Sequence, residues 1–379
     1  MAEHGRLGEA LENIFTVNLG ATPAERVLVF TDTIPDGLVI DEVERSRREG
    51  LVMIARAAAD AGRRLGMDVL YADFPALGSH GMEPGAELWR LAFGDSAASE
   101  LEKTGILTRL REKKNVEEDV RRARDIVERF KGEAVDAVIA LSNHSTSHTR
   151  FRDLLTSVAG ARYASMPLFE VDMLWGSMSA DWGAIEKRSR LVASMVDGAA
   201  SARITTPDGT DIAFSLEGRP PMLDTGMLKE PGSFSNLPAG EVYLAPVEGT
   251  AKGVLVLNWA PNRKLASPIR VNVDNGRAQE VYGEEPFVAE FIGNLDRFPD
   301  NRNLAELGIG TNDKASRPDN VLESEKILGT IHIAFGDNSS MGGKVSTPFH
   351  QDFVFFHPTL TVVKNGLVQS VIIDGRLSV

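Results

Sequence analysis

The sequence predicts an α/β protein in two parts: an N-terminal domain on an open, mostly parallel sheet, then a β-rich (α+β) C-terminal domain. In the first part, apolar strand-like runs alternate with segments of helical periodicity. From Ser201 onward, short alternating runs instead close across turn-forming residues. The change falls near Asp197–Ala200, which places the domains at residues 1–198 and 199–379.

The first strand is the run "ERVLVFTDT" (Glu25–Thr33). The period of "EVERSRREGLVMIARAAADAGRRLG" makes the next element a helix, and "MDVLYADF" is apolar and β-rich again. The alternation recurs as "AVDAVIALSN", the helical "TSHTRFRDLLTSVAGA", the strand-like "RYASMP" and a helix over Trp182–Met195. Further on, "SARITTPDGTDIAFSLEG", "EVYLAPVEGTAKGVLVLN", "PIRVNVDNGRAQEV" and "TLTVVKNGLVQSVIIDGRL" each read as paired antiparallel strands, with one or two helices inserted among them. The basic run "RLREKKNVEEDVRRARD" is matched by acids at helical spacing and reads as a solvated helix face.

Composition narrows the function classes. With 379 residues, 42% hydrophobic and 25% charged, the chain has ample material for a core. A net charge of -13 argues against nucleic acid as a partner. The segment "MAEHGRLGEALENIFTVNLG" has the pattern of a short amphipathic helix and not of a secretion signal, and no apolar run is long enough for a membrane span. The expectation is therefore a cytoplasmic protein with no membrane partner. Having no cysteine, the chain must hold any metal through His, Asp and Glu.

Three of the seven histidines lie between His332 and His357. His350 and Asp352 form H-x-D, a spacing that on a strand sends both side chains to one face. His332 adds a second imidazole, and two histidines with a carboxylate suffice for Zn, Mn, Co or Fe(II). The competing reading is a hydrogen-bonded core histidine and a simple turn. Upstream, Glu241 in "NLPAGEVYLAP" stands at the mouth of a strand, and Glu306 in "NLAELGIGTN" is followed by what reads as a glycine-rich turn.

These segments, together with "ESEKILGTIHIAFGDN" and "FHQDFV", resemble in order the metal-binding segments of the aminopeptidase T, aminopeptidase S and leucyl aminopeptidase group. The resemblance covers roughly Gly232–Pro358. It implies a metal-binding C-terminal domain in a homodimeric hydrolase of a small peptide or small amide. It further implies a site of two divalent ions (Zn, Co or Mn) held by Glu241, Glu306, Glu325, His332, His350 and Asp352, with Glu306 as bridge and Glu241 as proton relay. Glu323 is the substitute for Glu325, because the spacing to His332 departs from the group's pattern. A second departure is the lack of a Tyr after "HIAFG", which leaves Asn338, Ser339 or the N–H groups of Gly342 and Gly343 as substrate donors. The same fold group contains 2,5-dihydroxypyridine dioxygenase, which resembles the chain in H-x-D but has a His where Glu306 stands. It offers the alternative of one Fe(II) on His332, His350 and Asp352.

Other motifs carry less. His144 and His148 in "SNHSTSHTRFR" are four apart, as on one helix face, and His148 is a candidate for binding the substrate's polar end. The alternative there is a Ser/Thr-capped helix start. "GIGTND" lacks the dinucleotide fingerprint, "GGKVST" lacks P-loop spacing, and His357 reads as structural.

Overall fold

A computed structural model describes residues 2–378. The α/β prediction holds: a parallel sheet occupies the N-terminal part and antiparallel sheets the C-terminal part. Two compact units form, one of Met1–Ser179 with Gly226–Pro238, the other of Ala180–Thr225 with Ala239–Val379. The sequence pattern instead marked a single break at 198/199. Helix Trp182–Val196, capped by Asp181, packs its Val192, Ala193 and Val196 into the core of the second unit.

In the first unit, strands Arg26–Thr33, Asp68–Pro75, Ala137–Ala140 and Arg162–Ser165 pair in parallel, and Phe234–Asn236 adds a fifth parallel strand. Helix Glu42–Arg64 starts where Asp41 accepts the Glu44 N–H, as its amphipathic period and acidic first turn favour. Trp89, Phe93, Phe151 and Phe30 fill one side of the sheet. The expected helix over Thr146–Ala161 begins only at Arg150, with the Thr149 hydroxyl capping Arg152 N–H. The Ser/Thr-capped start is thus what forms. His144 and His148 lie before it in irregular chain and share no helix face.

The second unit holds an eight-stranded and a five-stranded sheet. Hairpins close across Asn275–Gly276 and Asn365–Gly366, whose positive φ angles suit the tight turns read from the sequence. "EVYLAPVEGTAKGVLVLN" is not a hairpin, because Glu241–Leu244 joins the five-stranded sheet and Lys252–Ala260 the eight-stranded one. No helix among the described residues is long and apolar enough to cross a membrane.

The five-stranded sheet positions the candidate metal ligands. Four of its adjacent strands are His350–Phe355, Ile331–Gly336, Leu304–Gly310 and Glu241–Leu244, all antiparallel. Side chains alternate between faces. One face presents Val242, Leu244, Leu307, Ile309, Ile331, Ile333, Phe335, Phe353 and Phe355 to the core. A bulge between Leu304 and Glu306 sets Leu304 opposite Phe335 in that core, yet sets Glu306 opposite Ala334 on the other face.

Phe353 touches Phe287, Phe291 and Phe335. Replacing it with Ala should cost about 3–5 kcal/mol, the range for a large buried aromatic. Chemical denaturation checks this, and a loss below about 1 kcal/mol would mean the strand is anchored elsewhere.

Candidate metal centre

The face away from the core collects Glu241, Glu306, His332, His350 and Asp352 from four neighbouring strands. Register explains it: Glu306 opposes Ala334, Ala334 opposes Asp352, Gly336 opposes His350, and Gly310 opposes Glu241. The H-x-D spacing on a strand works as read, with His350 Nε2 3.3 Å from Asp352 Oδ2. Interspersed with the ligand candidates on this face are the small residues Gly308, Gly310, Ala334 and Gly336. At Gly308 a Cβ would meet His332 Nε2 at 1.8 Å, so the imidazole lies across a position that only glycine leaves open. Gly308 and Gly310 therefore belong to the strand itself, not to a turn after Glu306.

Two overlapping triads result, Glu241/Glu306/His332 and Glu306/His350/Asp352, each with ligand atoms within 4.8 Å of one another. Glu306 is common to both. Its Oε1 is 3.3 Å from His332 Nε2 and its Oε2 is 3.2 Å from His350 Nε2. His350 Nδ1 lies 2.8 Å from the Asp337 carbonyl oxygen and so carries the proton, which turns Nε2 to the carboxylates.

Those separations exceed the 2.7–2.9 Å of a charge-assisted hydrogen bond. The separations of His350 Nε2 from Glu306 and Asp352, 3.2 and 3.3 Å, match neighbouring donors on one cation, which at metal–ligand lengths near 2.1 Å sit about 3.0–3.4 Å apart. Asp352 Oδ1 and Glu241 Oε2 are buried without hydrogen-bond partners, an expensive state unless a cation serves them. The donor set fits a divalent ion. The geometry does not assemble His332, His350 and Asp352 as one triad, because the Glu306 carboxylate stands between the two imidazoles.

Electrostatics follow from burial and crowding. Burial pulls the His332 pKa down, but Glu306 and Glu241 outweigh it and leave it at about 9. His350 is likewise carried well above its ordinary value against burial, by Asp352 and Glu306. Burial raises Glu306, yet the two imidazoles bring it below the usual carboxylate range. Burial pushes Glu241 up to about 7, with Lys326 and His332 opposing and Glu325 and Asp224 adding to the rise.

The remaining candidates stand elsewhere. Glu325 Oε2 is 3.0 Å from Lys326 Nζ, whose other partner is Glu241 Oε1 at 2.7 Å. Glu323 accepts the Ser316 and Arg317 N–H groups, which ties down a loop. Asn338 gives its amide to Glu248 and accepts Val345 N–H, and the exposed Ser339 hydroxyl donates to Asp337. Both brace the 337–345 segment. Gly343 N–H is likewise spent on the Asn338 carbonyl. His148 is exposed in the first unit. His357 sits at a positive-φ position 3.7 Å from Asp374.

Sequence reasoning missed Lys326 and Tyr243. Tyr243 opposes Gly308 on the site face, and burial together with Glu241 and Asp224 keeps its hydroxyl protonated.

The sequence profile of the 2,5-dihydroxypyridine 5,6-dioxygenase family (NicX) matches residues 171–377, more than half of the chain and all of the cluster. The chain belongs to this family. The 2,5-dihydroxypyridine 5,6-dioxygenase of Pseudomonas putida KT2440 is 24% identical over 185 residues, 44% of this chain. That match spans about half, 52%, of the relative's length. The solved structure of the Pseudomonas putida dioxygenase superposes with a TM-score of 0.67 at 19% identity, over 98% of this chain and 96% of that one. AmpT of Thermus thermophilus superposes at 0.58 and 18% identity, over 99% and 100%. Both likenesses establish the fold, and the aminopeptidase resemblance read from the sequence reaches no further than that.

Gly308→Ala should displace His332 and weaken metal binding by 10-fold or more, about 1.4 kcal/mol, in titrations with Mn2+. Unchanged affinity would mean that His332 does not hold the Glu306 carboxylate in place. Because Asp352 and Glu306 hold His350 well above its ordinary value, a proton leaves as an ion enters, so affinity should climb as the pH rises above neutrality. Calorimetry in two buffers of different ionisation enthalpy reads this as proton release. Binding without proton release would contradict the protonated imidazole.

Proposed function

We propose that the chain is a ring-cleaving dioxygenase using one non-haem Fe(II) held by Glu306, His350 and Asp352, with a hydroxylated pyridine as substrate. One observation carries the reading: the dioxygenase family profile runs through every residue of the cluster. The activity named for the Pseudomonas putida relative supports the same substrate class. One imidazole with two carboxylates is a hard-to-borderline donor set, suited to Fe(II) or Mn(II). Bound Fe(II) supplies the redox chemistry that couples dioxygen to an electron-rich ring.

The chain's own groups handle protons and position. Glu241, with a pKa of about 7, can take a proton from a ring hydroxyl at neutral pH through Oε2, since Oε1 is held by Lys326. The protonated Tyr243 hydroxyl is a donor on the same face for a ring oxygen or nitrogen. Asp337, through its carbonyl, fixes the His350 ring so that Nε2 stays on the ion's side.

A second reading, metal-dependent amide hydrolysis, is favoured by the two triads sharing Glu306, the arrangement of a carboxylate bridging two ions. The AmpT-like fold is compatible with it.

Protein reconstituted with Fe(II) without air should, on exposure to oxygen, consume oxygen in step with loss of 2,5-dihydroxypyridine absorbance. Tyr243→Phe should lower turnover by 10-fold or more, about 1.4 kcal/mol of lost transition-state stabilisation. Oxygen-independent cleavage of leucyl peptides, with no ring loss, would replace this reading with the hydrolase.

A further inference from the structure

Lys326 is 1% exposed and has its ammonium 2.7 Å from Glu241 Oε1 and 3.0 Å from Glu325 Oε2. Those two carboxylates are the ones the aminopeptidase resemblance assigned to metal alongside His332. A lysine taken wholly out of water must be compensated, and here two acids do it.

The backbone delivers Lys326 to that spot by construction. At Gly310, opposite Glu241, a Cβ would collide with the Ile327 carbonyl oxygen at 2.0 Å, so the 325–328 segment lies directly on the ligand face. Asn312 N–H donates to the Lys326 carbonyl at 2.9 Å, while the Asn312 side chain donates to Ala239 O at 2.9 Å. Thr311 N–H donates to Gly240 O at 2.8 Å. The lysine and the start of the Glu241 strand are thus fastened to the same three residues, Gly310 to Asn312. The ammonium is part of the framework of the site and not a loose side chain that has fallen in.

We propose that the Lys326 ammonium stands in for a second metal ion at the Glu241/Glu325 end of the cluster, limiting the centre to one ion at Glu306, His350 and Asp352. The lysine occupies Glu241 Oε1 and Glu325 Oε2, Glu241 Oε2 faces His332 Nε2 at 3.3 Å, and like charge disfavours a dication beside the ammonium. Glu306 is then left as a ligand on one side and a hydrogen-bond acceptor for His332 on the other. The inference deepens the one-iron reading and rests on the cluster binding a dication. Its test reads ion number, so loss of the dioxygenase reading for want of ring cleavage leaves it decided separately.

The experiment counts Mn2+ per chain by elemental analysis after equilibrium dialysis of the full-length protein, without substrate. Wild type and Lys326→Arg should bind about one ion, and Lys326→Gln about two, since it frees both carboxylates. Heat stability of Lys326→Gln should also gain more from added Mn2+ than wild type does, because the second ion repairs two uncompensated acids. Mn2+-soaked wild-type crystals should show one anomalous peak, between Glu306, His350 and Asp352. This stands even if Lys326→Gln fails to fold. A second wild-type peak at Glu241, whether shared with Glu325 or with Glu306 and His332, or a folded Lys326→Gln protein that stays at one ion, overturns the proposal.

Discussion

The Glu306 carboxylate, wedged between the Nε2 atoms of His332 and His350 at 3.3 and 3.2 Å, is the contact on which the site depends. It can stand there only because a bulge re-aims it out of the core between Leu304 and Glu306. Gly308 and Ala334 beside it are too small to fill the space the ligands need. The opposite face, with Leu307, Ile309, Ile333, Phe335 and Phe353, supplies the burial that holds the four strands in register. A one-residue slip of any strand would exchange ligands for core residues.

That arrangement gives the two ends of the cluster different characters. At one end His350, Asp352 and Glu306 present donors toward a common point, with Asp352 Oδ1 unserved by any hydrogen bond. At the other, Glu241 and Glu325 already hold an ammonium. A fold shared by a dioxygenase and an aminopeptidase is compatible with either chemistry. The occupant of the second position is what separates a centre built around one ion from one built around two. Glu241, raised by burial, is tethered to Lys326 through Oε1 and leaves Oε2 without a hydrogen bond.

Much of this was legible in the sequence, and the reasons differ by residue. H-x-D worked because period two is a property of any strand, so His350 and Asp352 needed no tertiary information. Parallel and antiparallel halves were readable from where apolar runs met helical periods and where Asn-Gly turns intervened. His332 was noticed from the clustering of histidines, but Glu241 and Glu306 emerged from a resemblance, since cross-strand register brings them together and sequence distance does not encode register. Gly308 and Gly310 read as a turn because glycine usually marks one. Their role, making room for His332 and for the 325–328 segment, exists only in three dimensions. Lys326 in "ESEK" went unread, because nothing local distinguishes a solvated lysine from one enclosed by two glutamates. Asn338 and Ser339 looked available because their partners, Glu248 and Asp337, lie in loops whose course the sequence does not fix.

The central claim is a single ion bound at the Glu306, His350 and Asp352 end. X-ray absorption at the iron edge of Fe(II)-loaded protein tests it most directly, because it reports both imidazole count and any neighbouring metal. A one-ion centre predicts an oxygen-rich shell with scattering from about one imidazole and no metal–metal distance. Two imidazoles, or a second metal at about 3.5–4 Å, would contradict it.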